Sequence, residues 1–518
     1  MPDAPALDPD RLHKQIHACW LGKAVGGTLG MPWEGFDGPN DLDFYDPVPT
    51  GMVANDDLDL QVLWACVLDG MGEGVRVDRH VLAEAWRNRV DFPWGEYGVA
   101  KRNLTHGVRP PHSGAFDNWW HDGMGATIRS EVWACLAAGD PDLAGAYAYE
   151  DACVDHARDG VWGEQLFARL QAAAFTESDT DALLDTALAG LPDESVVKRA
   201  VRETRAGWAA SGDWRQVRRE ILAAHHDPDF THVVMNAAFT VLAWLAGGGD
   251  FGRTICIATN CGQDTDCTAA TVGSLLGILD PDGIPERWLA PIGGDLVVDP
   301  RITGIAPPAT LDGFTDLIVS LRDRLGGKPP AAQEAPAARD LIDATDRLAY
   351  EATVGHFTLR GVHAYLDFNW MPSPLEPAPA TPDGAERTLI PTQCTELDPA
   401  GYPEGLDLLH LSIPFTLKEA RRCKVCFSSE AETSVWVDGA FAFGRDAGGR
   451  MMPSPHLAPL NTHATLDLAA GEHTLVAVLK RPPAGAGTRG RVTWNLDLAD
   501  AESLQWLTGV LHRVSPGA

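Results

Sequence analysis

No apolar stretch in this 518-residue sequence reaches the roughly 18–20 residues needed to span a bilayer. Basic side chains are scarce, with 41 Lys and Arg against 72 Asp and Glu and a net charge of −31. So acidic a surface excludes nucleic-acid and anionic-membrane partners, which require basic patches. Cysteine has no framework: ten residues are scattered from Cys19 to Cys426. That is the pattern of reduced, mostly buried thiols in a cytoplasm. The lone Cys423-Lys-Val-Cys426 has no second pair to complete a zinc site, and in a strand its two cysteines point to opposite faces. The opening Met1-Pro-Asp-Ala-Pro has no basic n-region or apolar h-region, so no secretory signal is expected and the expected location is cytoplasmic. Internal repeats are missing, and strand-like patterning is nearly missing before residue 350.

Acidic clusters are present, and two share one design. Asn260-Cys-Gly-Gln-Asp264-Thr-Asp266-Cys267-Thr268 runs into a small-residue helical segment, where Asp264, Thr268, Val272 and Leu275 form one line. Asp264 and Asp266 are about 200° apart on a helix and converge only if the helix starts between them. Earlier, Asn55-Asp56-Asp57 opens a helix whose stripe is Asp56, Leu60, Leu63 and Val67. Buried carboxylates are paired, protonated or metal-bound. The nearby sequence offers almost no Lys or Arg, so hard divalent cations with oxygen ligands are expected. Asp is also favoured as a helix N-cap, which is the other reading of either motif alone. Two motifs of one design favour the cations.

These residues resemble the motifs of the ADP-ribosylglycohydrolase family. Asn55-Asp56-Asp57 is similar to its Thr-Asp-Asp motif, and Gly262-Gln-Asp264-Thr-Asp266-Cys267 to its Asp-x-Asp-Thr/Ser motif. Gly22-Lys-Ala-Val-Gly26-Gly27 through Glu34 resembles the opening Gly-rich helix and its glutamate. Gly123-Met124-Gly125 through Arg129 resembles the substrate-holding Gly loop, and Asp155-His156 the Thr/Ser-His that follows it. The resemblance spans about residues 10–325 and implies a compact all-α bundle around two Mg²⁺ ions, with Mn²⁺ as the alternative. It implies Asn55, Asp56, Asp57, Asp264, Asp266 and Cys267 as metal ligands. Glu34, Asp56 and Asp266 are implied as catalytic, and Gly123, Met124, Gly125 and His156 as substrate-binding. Two positions depart from the family: Asn55 and Cys267 stand where hydroxyl residues are usual, which leaves Cys267 or Thr268 to fill the second role.

The whole chain is expected to be multi-domain α plus β. An all-α catalytic domain (10–326) is followed by a linker and short helix (327–354) and a β-sandwich (355–518). Several short alternating runs beyond 355 indicate the sandwich, which resembles jelly-roll or galactose-binding-like modules fused to glycosidases. A glycan or protein partner is expected for it. Residues 91–121 carry aromatics without period and read as a long loop. The resemblance implies hydrolysis of an α-ribosyl N- or O-glycosidic bond, on an ADP-ribosylated protein or a smaller ribosyl metabolite. The competing readings are a dimetal phosphoester hydrolase and a non-catalytic ADP-ribose-binding or structural protein.

Overall fold

Small residues at four-residue spacing set the architecture of the helical half. A computed structural model describes residues 7–116, 118–327, 329, 350–357, 377–390, 394–397, 408–446, 453–456, 458, 461–480 and 492–510. They fall into two compact units. The first comprises Met1–Asp91, Arg109–Phe116 and Trp120–Glu334, and the second Phe92–Val108, Asp117–Trp119 and Ala335–Ala518.

In the first unit, helix Pro9–Gly30 starts at an Asp8 cap, whose carboxylate accepts the Arg11 N–H at 2.9 Å. It packs along helix Thr265–Leu279. Residues at i and i+4 share a helix face, so Gly22, Gly26 and Gly30 form one bare stripe. A Cβ at Gly22 would lie 2.1 Å from the Gly273 carbonyl oxygen, and one at Gly26 2.1 Å from that of Ala269. Only glycine allows so close an approach of two backbones. Helix Val233–Gly247, almost wholly apolar, is buried nearly all round, as expected for an interior helix. Helix Phe251–Asn260, which the sequence pattern did not signal, fills the interval before the second acidic motif. No helix among the described residues is long and apolar enough to cross a membrane.

The second unit holds ten described strands: β1 (Tyr350–Phe357), β2 (Glu386–Ile390), β3 (Cys394–Leu397), β4 (Leu408–Leu417), β5 (Arg421–Ser429), β6 (Glu432–Val437), β7 (Ala440–Arg445), β8 (His463–Leu468), β9 (Gly471–Lys480) and β10 (Val492–Asp500). They form two antiparallel sheets, ordered β2-β1-β4-β9-β6-β7 and β3-β10-β5-β8. Alternate residues of both sheets, Leu409, Leu411 and Ile413 with Val425, Phe427 and Leu496 among them, meet in a single core. That shared core makes the pair a sandwich. Cys423 faces it, and Cys426 lies on the other face of β5. The nine described cysteines outside β3 are all free.

Two expectations change. The stretch 91–121 is not a continuous loop: it contains helices Gly95–Thr105 and His112–Ala115. Gly95–Thr105 buries Glu96, Tyr97, Val99, Arg102 and Asn103 on several sides, so no amphipathic period marks it. The helix expected at Asp340–Ala352 lies outside the described residues up to position 349, and Tyr350–Ala352 begins β1, paired with Ile390, Leu389 and Thr388.

Candidate metal centre

The helix pair delivers both acidic motifs to one place. At the crossing's end a Cβ on Gly30 would lie 2.3 Å from the Thr265 carbonyl oxygen, and Thr265 Oγ1 donates to Gly30 O at 2.8 Å. A short 3₁₀ turn, Met31–Trp33, then carries the chain to Glu34. The segment after Glu34 pairs with the loop before Asp264: Gly35 N donates to Gln263 O (2.9 Å) and Gln263 N to Phe36 O (2.7 Å). Gly262 and Gln263 take left-handed φ of 76° and 68°, turning Asp264 inward. A Cβ at Gly262 would strike the Asp37 carbonyl at 2.6 Å, so glycine is required there. Buried Arg218 clamps both segments, donating from Nε to Cys261 O at 2.7 Å and from Nη2 to Asp37 O.

The first motif enters through helix Asp56–Asp69. Asn55 is its N-cap: Oδ1 accepts the Asp57 N–H at 2.8 Å, and Nδ2 donates to Asp266 Oδ2 at 3.2 Å. The Asn55 oxygen expected on a metal also caps the helix start, while its amide joins the two motifs. Asp57 is buried, with Oδ1 3.1 Å from Lys23 Nζ and Oδ2 3.6 Å from Cys267 Sγ. This overturns the expected lack of cations. Lys23 comes from the Gly-rich helix, 34 residues earlier in sequence. It also reaches Glu131, which accepts from Gln61 (3.0 Å), Gln171 (3.1 Å) and Ser274 (2.9 Å).

Two groups of donor atoms result, each within 4.8 Å: Glu34, Asp264 and Asp266, and Asp57, Asp266 and Cys267. Asp266 belongs to both. Asp266 Oδ1 is buried and has no hydrogen-bond partner, and Asp264 makes no cap bond although it stands at the helix start. A buried carboxylate oxygen without a partner, on the residue common to both groups, fits divalent cations. Thr268 Oγ1, the other candidate for the hydroxyl role, directs its proton to Thr265 O at 3.2 Å. Asp56 is half-buried beside this cluster and falls in neither group.

The electrostatics agree with the crowding. Burial, then Asp266 and Glu34, raises the Asp264 carboxyl well above its usual range, and burial, then Glu34 and Asp57, does the same for Asp266. Burial followed by the neighbouring carboxylates pushes the Cys267 thiol well up. Glu34, an exposed residue whose carboxyl is desolvated on its inner side and faces Asp56 and Asp57, is pushed up to about 7. Asp59, which the motif reading passed over, is fully buried and pushed up to about 8 by burial, against a 3.0 Å bond from Asp299 N.

The Gly loop is held from behind. Met124 N donates to Thr231 O at 2.8 Å, and Arg129 Nη1 donates to Gly125 O at 2.6 Å. Arg129, fully buried, pairs with Asp155 (2.8 Å) and Asp151 (3.0 Å). His156 is fully buried with Nε2 accepting the Ala126 N–H at 3.2 Å. In this structure, then, His156 braces the loop. The helix beginning beside Gly123 supplies Asn236, whose Oδ1 accepts the Asp264 N–H at 3.3 Å, tying the loop to the acidic cluster. Lys23, Arg218, Asn236 and Asp59 are site residues that motif reading missed. A lysine in a helix of glycine and alanine was the one visible signal among them.

A model of the ADP-ribosylglycohydrolase family matches residues 8–322. Among solved structures, the chain is similar to an "ADP-ribosylglycohydrolase-related protein complex" at 20% identity and a TM-score of 0.43, covering 61% of this chain and 99% of that one. It is also similar to a GH31 alpha-xylosidase from Xanthomonas citri at 14% identity and a TM-score of 0.12, covering 19% of this chain and 12% of that one. No curated protein matches the chain.

Proposed function

The chain belongs to the ADP-ribosylglycohydrolase family, and we propose that it is a metal-dependent hydrolase of an α-ribosyl N- or O-glycosidic bond. The family supports a glycohydrolase-type function. The observation that carries the finer reading is the convergence of Glu34 and Asp264, and of Asp57 and Cys267, on Asp266, which itself carries a buried oxygen without a partner. Asp57, Asp264, Asp266 and Cys267 would hold two divalent cations, with Mg²⁺ or Mn²⁺ at the all-oxygen group. When bound, such ions polarise ribose hydroxyls and lower the pKa of a bound water.

The chain's own groups divide the remaining work. Breaking a ribosyl bond develops positive charge at C1′, and a carboxylate-rich cleft stabilises that charge without reorganising. Glu34 stands at the mouth of the cluster with a proton affinity near neutrality, as a group that moves a proton requires. Asp56 adds negative charge beside it. Backbone N–H groups around Gly123 and Gly125 suit a diphosphate, which Gly-rich loops bind by close approach. The β unit is assigned an accessory role, recognising a glycan or protein partner.

Screening ADP-ribosyl-arginine, ADP-ribosyl-serine, simple N-ribosides and phosphoesters with Mg²⁺ or Mn²⁺ tests this reading. Release of ADP-ribose or ribose is expected. Release of phosphate alone would overturn it in favour of a phosphoester hydrolase.

A further inference from the structure

We propose that the two cation positions differ in kind, and that the one at Cys267 selects a borderline transition-metal ion, such as Co²⁺ or Zn²⁺, over Mg²⁺. The inference rests on the two-cation reading above and adds the chemistry of one position. Around Glu34, Asp264 and Asp266 every donor is a carboxylate oxygen. Around Asp57, Asp266 and Cys267 one donor is sulfur.

Three contacts define what this second position offers. Lys23 occupies Asp57 Oδ1, leaving Oδ2, the oxygen beside Cys267 Sγ. Asn55 occupies Asp266 Oδ2, leaving Oδ1, which is buried and has no donor of its own. The Thr268 hydroxyl directs its proton to Thr265 O, whereas Cys267 Sγ lies 3.6 Å from Asp57 Oδ2. The Lys23 ammonium, shared with Glu131, also offsets part of the Asp57 charge. Mg²⁺ demands near-octahedral oxygen coordination and binds largely through charge. A position with less net negative charge and a sulfur donor therefore disfavours it, whereas thiolate favours softer ions. Binding exchanges the thiol proton for the metal: the S–H bond breaks, a sulfur–metal bond forms, and the proton leaves to solvent.

The test titrates the metal-free full-length protein, and its Cys267→Ser and Cys267→Thr variants, with Co²⁺, Zn²⁺ and Mg²⁺. Calorimetry and near-ultraviolet absorption are the readouts, with circular dichroism to confirm that each variant is folded. The native chain should bind two Co²⁺ ions, one of which gives a sulfur-to-cobalt charge-transfer band. Zn²⁺ should abolish that band, and Mg²⁺ should not. In both variants the band should vanish and one Co²⁺ should bind more weakly by at least the roughly 10–100-fold that loss of an outer-shell partner costs, while Mg²⁺ affinity holds or rises. Two bound ions with no band, and an unchanged Co²⁺-to-Mg²⁺ preference in Cys267→Thr, would overturn the proposal and leave the metal centre standing. If no ion binds the native chain, the two-cation reading falls, and this proposal with it.

Discussion

Lys23 Nζ lies 3.1 Å from Asp57 Oδ1, and neither side chain is more than 2% exposed. The same ammonium is 3.1 Å from a Glu131 oxygen that is fully enclosed. One cation is thus shared between a motif carboxylate and an interior one. Removing one partner from a buried pair leaves an uncompensated charge, at a cost of about 3–5 kcal/mol. Lys23→Met is expected to lose that much stability in urea unfolding of the metal-free protein. A loss within the surface range of about ±0.5 kcal/mol would mean the pair contributes nothing.

Gly26→Ala should act at a distance from the chemistry. The new methyl would meet the Ala269 carbonyl oxygen at 2.1 Å, against rigid helix backbone. The two helices must separate, and with them Glu34 from Asp264 and Asp266. Overpacking of this kind costs about 1–3 kcal/mol or more. The expected outcome is a lower melting temperature with a disproportionate loss of cation affinity, read by calorimetry. Gly35→Ala, where an added Cβ meets nothing within 4 Å but φ is 79°, is the comparison: backbone strain without helix separation.

Stability of the metal-free protein should fall as pH rises. Asp59, Asp264 and Asp266 have folded-state proton affinities raised above the ordinary carboxyl range, Asp59 to about 8. Between roughly pH 4, the unfolded value, and the folded value, the native state binds more protons than the unfolded one. Their stabilising effect is complete below the unfolded value and is lost on the way up to the folded one. Glu34, exposed to solvent, contributes less. A bound divalent cation replaces the protons, so its stabilisation grows over the same range. Melting curves with EDTA and with Mn²⁺ at several pH values check this: the gap between them should widen as pH rises. A gap that is constant or narrows would show that the carboxyls are not crowded in solution.

Both acidic motifs and the Gly-rich helix were legible because each has a local signature: a carboxylate at the head of an apolar stripe, or glycines at four-residue spacing. The sandwich was legible from two-residue alternation in β4, β5 and β9. What stayed hidden was non-local. Lys23 meets Asp57 only because the first helix lies along the Thr265–Leu279 helix, and Arg218 matters only because two loops meet beneath it. Asn55 also caps its helix, its oxygen accepting a backbone N–H two residues on, and its amide reaches Asp266, 211 residues away in sequence. The helix Gly95–Thr105 was missed because burial on several sides, by neighbours as distant in sequence as Trp506, leaves it no amphipathic period.

That helix packs against a residue beyond position 326. Residues 1–326 expressed alone retain every acidic residue of the centre but lose the rest of the unit to which Phe92–Val108 belongs. A Cβ on Gly98 would lie 1.8 Å from the Trp506 ring, so the helix backbone lies directly against that indole. Phe92 and Trp94 stack at 4.5 Å, and the Trp94 ring is 5.9 Å from that of His456. Truncation removes Trp506 from Gly98 and His456 from Trp94, in a segment whose Phe92, Tyr97, Val99 and Ala100 are buried in the full chain. Uncovering a large apolar side chain costs about 1.5–3 kcal/mol, and a contiguous apolar patch of this kind promotes association. The fragment is expected to aggregate on size-exclusion chromatography with light scattering, whereas the full-length chain stays dispersed. Replacing 92–108 by a short Gly/Ser linker in the same fragment should restore solubility, because the orphaned helix leaves with its exposed face. A monomeric, stable 1–326 fragment with that segment still in place would show that Phe92–Val108 repacks without its partner strands, and that the helical unit is independent of the sandwich.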